Sequence, residues 1–139
     1  MKQQMVIASL LVVQVSILAS AQGKTTIDGV YTEAQAQRGE AVYARACAGC
    51  HQPDLSGDGQ TPALVGKDFN MDWNDRSIGD LFERTRISMP ADAPGSLEPA
   101  EVADVIAFLL NKGKFPAGQA ELPSDLAALK DIKFVTPKP

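Results

Sequence analysis

The residues with the most distinctive chemistry lie close together in the first half of the chain. The run Cys47-Ala48-Gly49-Cys50-His51 contains the only two cysteines and the only histidine among 139 residues. Thiols and imidazoles are nucleophiles, redox groups and metal ligands. The spacing puts two thiols about one helical turn apart, with an imidazole directly after the second. This run is therefore the first candidate for a functional site.

Several kinds of site use cysteines at this spacing. A disulfide between Cys47 and Cys50 would close a very short loop and remove little entropy from the unfolded chain. A redox pair of the thioredoxin type should follow a strand in a βαβ unit, whereas helical residues precede this pair. A structural zinc ion needs four protein ligands, and only His51 and the two thiols are offered. The order C-x-x-C-H is the attachment signature of haem c, and it predicts one covalently bound haem.

The element before the motif is predicted to be a helix. It runs from about Glu33 to Ala46, with Thr32 as its N-cap. Gln35 follows the N-cap by three residues, in the order of a capping box. The haem motif is thus expected at the C-terminal end of this helix.

Two further helices are predicted later in the chain. One begins after the N-cap Ser77, has Asp80 in the capping-box position and ends before Pro90. The other has Pro99 in its first turn and ends at Gly113. Its apolar residues recur at i, i+3, i+4 and i+7, which indicates one buried face: Val102, Val105, Ile106 and Leu109.

The remaining segments are predicted to be irregular. Between His51 and Ser77 the chain is rich in Gly, Pro, Asp and Asn, which predicts loops and turns. A stretch of this length needs something to pack against, and a haem would supply it. The tail from Lys114 to Pro139 contains a predicted short helix near 125–129. We otherwise interpret it as a wrap or a loose end.

The N-terminus predicts export. Lys2 precedes an apolar run from Met5 to Leu18, and Ala19-Ser20-Ala21 has the small-residue pattern of a cleavage site. Residues 1–21 are predicted to be a signal peptide and 22–139 the mature chain, located in the periplasm. The alternative is an uncleaved membrane anchor, but the apolar run is shorter than the roughly 20 residues of a spanning helix. No later stretch is long and apolar enough to span either, so we expect no membrane span in the mature chain.

The net charge of the chain restricts the classes of partner that it is expected to bind. The chain has 13 Lys and Arg against 17 Asp and Glu, a formal net charge of −4 at pH 7. A nucleic acid is disfavoured as a partner, because binding phosphates requires positive charge.

Taken together, these features resemble class I cytochrome c from Thr32 to about Lys112. In that family a glycine and an aromatic of the first helix pack against an aromatic of the last, and Gly39, Tyr43 and Phe108 occupy the matching places. The resemblance implies an all-α fold. Three main helices and their loops would wrap around one haem, in a single domain over 22–139 with a core at about 32–112.

The resemblance also implies roles for individual residues. Cys47 and Cys50 would form the thioethers to haem c, His51 would be the proximal iron ligand, and Met89 the distal ligand. Pro62 matches a proline whose carbonyl accepts a hydrogen bond from the ligating histidine. Such a bond orients the ring and strengthens the ligand.

Two assignments have alternatives. Met71 is the other methionine of the mature chain, and either it or an open sixth position would replace Met89 as the distal ligand. Trp73 resembles a tryptophan that packs near a haem propionate, but the same residue type is also common in protein cores.

The expected activity is electron transfer rather than catalysis. The run from Trp73 to Leu110 is similar to small bacterial cytochromes that serve periplasmic dehydrogenases, including quinoprotein ones. Redox partners are therefore expected: a dehydrogenase as donor and an oxidase or other acceptor. Two alternatives remain, an enzyme or gas sensor with a labile distal ligand, and a dedicated dehydrogenase subunit whose tail binds the larger subunit. As a free carrier the protein would be a monomer.

Overall fold

The regular secondary structure is helical in the part of the chain that a computed structural model describes, residues 23–137. Six α-helices and one 3₁₀ turn are present there, with no extended strand, which confirms the all-α prediction. The predicted signal peptide, residues 1–21, lies outside the described residues. None of the six helices is long and apolar enough to cross a membrane. The helices are α1 (Glu33–Ala46), α2 (Ala48–His51), α3 (Lys67–Trp73), α4 (Ile78–Ser88), α5 (Pro99–Lys112) and α6 (Leu126–Lys130).

Helices α1 and α5 cross in direct contact. A Cβ atom on Gly39 would lie 1.8 Å from the carbonyl oxygen of Asp104, so only glycine allows this approach of the two backbones. One turn later the Tyr43 and Phe108 rings pack with centroids 5.2 Å apart. At the rim, Arg38 pairs with Asp104 at 3.1 Å. The packing implied for Gly39, Tyr43 and Phe108 is confirmed.

The predicted helix ends agree with the structure. Ser77 caps α4 and forms a capping box with Asp80. Thr32 accepts a hydrogen bond from the backbone N–H of Gln35. The Gln35 side chain does not complete the box, however, since its amide bonds the backbone of Leu122 in the tail. A buried tertiary partner has replaced the local one.

Helix α3 was not predicted. The loop expected between His51 and Ser77 is wrong over Lys67–Trp73, where the chain is helical. The sequence KDFNMDW contains Asp and Asn, which favour turns over helix interiors. Phe69 is the buried residue of this helix, and its ring packs 6.1 Å from that of Phe134, near the other end of the chain. Tertiary burial thus stabilises a helix with weak local propensity.

The tail after α5 is a wrap, which we call the strap (residues 114–137). It returns along the molecule and buries apolar side chains in the same core as the helices. Its polar anchors are buried too: Tyr31 donates a hydrogen bond to the carbonyl of Phe115 at 2.7 Å, and Thr26 bonds both backbone groups of Val135. The buried apolar residues of the strap are Phe115, Leu122, Leu129, Ile132 and Phe134.

Candidate functional site: a haem attachment centre

The two thiols and the imidazole are presented by one short helix. Cys47 ends α1, donating its N–H to the carbonyl of Tyr43 at 2.9 Å, and also precedes α2. The carbonyl of Cys47 accepts from the N–H groups of Cys50 at 3.1 Å and His51 at 2.9 Å. This single turn fixes the three side chains relative to each other. The contact between α1 and α5 holds this Cys47–His51 turn in place.

Both cysteines are free thiols. Cys47 is half-buried and Cys50 is exposed. Burial raises the pKa of the Cys47 thiol, with Arg45 acting weakly in the opposite direction. The pair therefore has neither the disulfide of a structural bridge nor a thiol of lowered pKa at Cys47, the property that makes redox cysteines reactive.

His51 is held in one orientation by the chain itself. The ring is only 7% exposed, and its Nδ1 lies 2.9 Å from the carbonyl oxygen of Pro62. A proline carbonyl can only accept, so Nδ1 carries the proton and donates it. The lone pair is then on Nε2, which is the nitrogen free to bind a metal. The predicted bond between His51 and Pro62 is confirmed.

The turn before Pro62 explains why its carbonyl points at the ring. The Asp58 carboxylate accepts from the N–H groups of Gln60 at 3.1 Å and Thr61 at 2.7 Å. These two bonds lower the pKa of Asp58. Gly57 has φ 66°, and a Cβ there would lie 2.1 Å from the Thr61 carbonyl oxygen. Sequence analysis did not single out Asp58, although an Asp-Gly pair is a known signal for such a turn.

Met89 is the first residue after α4. Its N–H still donates to the carbonyl of Thr85 at 2.9 Å, while its own backbone is extended, so the chain leaves the helix here. The side chain is half-buried. An open cleft nearby is lined by Ala46 and Pro90, the neighbours of Cys47 and Met89. Neither Cys47 nor Met89 itself lines this cleft.

The alternative methionine lies elsewhere. Met71 is on α3 and is 66% exposed. Trp73, on the same helix, is half-buried against the core and its ring lies 6.3 Å from that of Phe69. The Arg76 guanidinium lies 4.4 Å from the centroid of the Trp73 ring, a cation–π contact that sequence analysis did not anticipate.

Comparison with protein families identifies the domain. The family model described as "Cytochrome C oxidase, cbb3-type, subunit III" matches residues 34–109, more than half of the chain. The chain belongs to this family. It is a class I c-type cytochrome domain, and the matched range runs from α1 to α5 and includes the haem motif, Pro62 and Met89. No curated protein matches the chain.

The residues of this cytochrome domain fit a haem c group. Free thiols at the C-x-x-C spacing match the two vinyl groups of a porphyrin edge, and His51 offers Nε2 because Nδ1 is already engaged. A haem supplies reversible one-electron chemistry at its iron. Its presence in this family makes the protein a haem-based electron carrier.

Proposed function

We propose that this protein is an exported monohaem cytochrome c that carries single electrons from a periplasmic dehydrogenase to a respiratory acceptor. Membership of the cytochrome family supports the assignment as an electron carrier. The predicted signal peptide supports export, and the single C-x-x-C-H motif supports one haem per chain.

The observation that carries the proposal is the contrast between the two methionines. In the haem-loaded protein His51 and Met89 would be the two protein ligands of the iron, and a fully ligated iron would exchange electrons without binding oxygen or peroxide. Met89 is half-buried and directly follows α4, whereas Met71 is 66% exposed on α3. A thioether is a soft, weakly basic ligand, which favours ferrous iron and raises the reduction potential.

The chain's own residues have definite parts in this function. Pro62 holds the imidazole of His51, so the ring need not reorient when the oxidation state changes. The crossing of α1 and α5 keeps the motif rigid. A carrier benefits from both, since low reorganisation of its ligands makes the gain and loss of an electron easier.

Paired variants test the ligand assignment. In the haem-loaded protein, Met89→Ala should abolish the weak far-red absorption band of methionine-bound ferric haem and allow the ferrous protein to bind carbon monoxide. Met71→Ala should leave both properties as in the wild type. If the wild type lacks the band and binds carbon monoxide, the carrier assignment fails and a ligand-binding function replaces it.

The packing of the strap bears on whether the protein is a free carrier or a permanent subunit of a dehydrogenase. Its apolar residues are buried in the protein's own core, so the strap is not a free arm for a larger subunit. We therefore favour a carrier that docks transiently over a permanent subunit. Gel filtration at native expression levels tests this, and a stable stoichiometric complex with a dehydrogenase would contradict it.

A further inference from the structure

The strap lies outside the part of the chain that defines the family. The family match ends at residue 109, whereas the strap covers 114–137. Electron transfer as proposed above assigns it no role. Its short helix α6 nevertheless packs against α4, the helix that leads to Met89.

A close backbone contact joins α6 to α4. A Cβ atom on Gly79 would lie 2.8 Å from the backbone nitrogen of Lys130, so the backbones of the two helices touch. The Lys130 side chain then extends over α4, where its ammonium pairs with Asp80 and, at 3.5 Å, with Glu83. The hydrogen bond from Lys130, together with those from Ser77, lowers the pKa of Asp80 to about 2.

The strap also fixes the first residue of α4 and the chain just before it. Ile78 donates its N–H to the carbonyl of Ile132 at 2.8 Å. Phe134 donates to the carbonyl of Arg76 at 2.8 Å and accepts from the N–H of Asp75 at 2.9 Å. Backbone bonds and side-chain pairs thus hold the N-terminal end of α4 on two sides.

A helix transmits such a restraint along its axis. Gly79 and Met89 are ten residues apart, and at 1.5 Å per residue the separation is about 15 Å along a straight helix. A tilt of α4 about the strap contact therefore displaces Met89 in proportion to this separation. A ligand bond to a metal tolerates displacements of only a few tenths of an ångström.

We propose that the strap is a positioning element for Met89, which holds α4 at the angle that brings the thioether to the iron. Gly79 and Lys130 are the positioning residues. The inference rests on the proposed function, since it requires that Met89 bind the haem iron.

The test uses the haem-loaded full chain. The pH is raised, and the measured quantity is the midpoint at which half of the far-red methionine band is lost. Lys130→Met removes the ion pairs but keeps the capping box of Ser77 and Asp80. It should lower the midpoint by about 0.3–0.7 pH unit, the two- to fivefold effect of a partly exposed ion pair. Gly79→Ala forces α6 and α4 apart and should lower it by about one unit or more, in line with other overpacked contacts.

A control separates positioning from general stability. Gln35→Ala breaks the two buried bonds to Leu122, where the strap crosses α1. It should lower the denaturation midpoint of the protein and leave the pH midpoint of the band unchanged. Circular dichroism at each pH verifies that every variant is folded when the band is read.

The outcomes distinguish the two proposals. A wild type without the far-red band contradicts the proposed function itself. A wild-type band with unchanged pH midpoints in Lys130→Met and in folded Gly79→Ala overturns the role of the strap alone. Equal shifts in these variants and in Gln35→Ala also overturn it, because they would reflect stability rather than position.

Discussion

At the scale of single residues, the site depends on how one imidazole is oriented. His51 is nearly buried and its Nδ1 is bonded to the carbonyl of Pro62. The ring is thereby fixed in the tautomer that can bind iron through Nε2. Donation from Nδ1 would also strengthen the bond from Nε2 to an iron, which would stabilise ferric over ferrous iron.

Weakening the turn that presents Pro62 should change the reduction potential. Asp58→Ala removes the acceptor for the N–H groups of Gln60 and Thr61, so the Pro62 carbonyl should bond His51 less well. We expect the potential to rise by about 20–60 mV, where 59 mV is a tenfold change for one electron. A redox titration of the haem-loaded variant measures this.

Asp54→Ala is the matched control. Asp54 accepts from the N–H of Ser56 in the preceding turn and bonds no group near Pro62. Its potential should equal that of the wild type. A fall in the Asp58 variant, or equal changes in both, would contradict the role of the His51 bond.

The haem motif was predictable because its chemistry is local: Cys47, Cys50 and His51 are adjacent in sequence, and no fold is needed to bring them together. The role of Pro62 came from the family resemblance, since its contact with His51 crosses a loop. The function of Asp58 was not recognised, because it acts through the backbone of the turn and touches none of the predicted ligands.

At the scale of elements, the crossing of α1 and α5 supports the motif. Gly39 allows the α1 backbone to reach the carbonyl of Asp104, and Tyr43 packs on Phe108 one turn closer to Cys47. A change in the spacing of these helices is therefore transmitted to the turn that carries the thiols.

Gly39→Ala should be strongly destabilising. The new methyl group would overlap the Asp104 carbonyl, so the helices must separate. We expect the free energy of unfolding to fall by about 3 kcal/mol, the upper range for overpacked sites. Denaturant unfolding of the haem-loaded protein measures it.

Gln37→Ala is the comparison on the same helix, where the side chain is exposed. It should change the unfolding free energy by less than about 0.5 kcal/mol, as for an ordinary surface substitution. Similar losses in both variants would contradict the close approach of α1 to α5.

Helices α1, α4 and α5 were predictable because their capping residues and apolar spacing involve only residues that are close in sequence. Thr32, Ser77 and Pro99 all stand at the predicted helix starts. Helix α3 lacks such signals. Its stability comes from Phe69 packing on Phe134, a partner that no local pattern reveals.

At the scale of the whole molecule, the strap completes the core. Its five buried apolar side chains join those of the helices, and Phe134 packs on both Phe69 and Phe115, at 6.1 and 5.1 Å between ring centroids. A protein of this size buries a modest fraction of its surface, so this contribution is substantial.

Phe134→Ala should therefore behave as a core mutation. We expect a loss of about 3–5 kcal/mol in unfolding free energy, typical of a buried Phe replaced by Ala. Ile27→Ala is the control, since Ile27 is 47% exposed; it should cost no more than about 0.5 kcal/mol. Equally small losses of unfolding free energy in both variants would mean that the strap is only loosely attached.

The sequence predicted the short helix α6 but left the tail undecided between a wrap and a loose end. The deciding contacts join residues far apart in the chain, such as Gln35 with Leu122 and Thr26 with Val135. Composition and periodicity do not encode these pairings.

The most direct test of the central claim is a spectroelectrochemical titration of the haem-loaded wild type, repeated under carbon monoxide. For one haem closed by His51 and Met89, we predict a single reversible one-electron wave that carbon monoxide leaves unchanged. A wave that shifts to higher potential under carbon monoxide would show an open iron position. That result would contradict the assignment of the protein as a simple electron carrier.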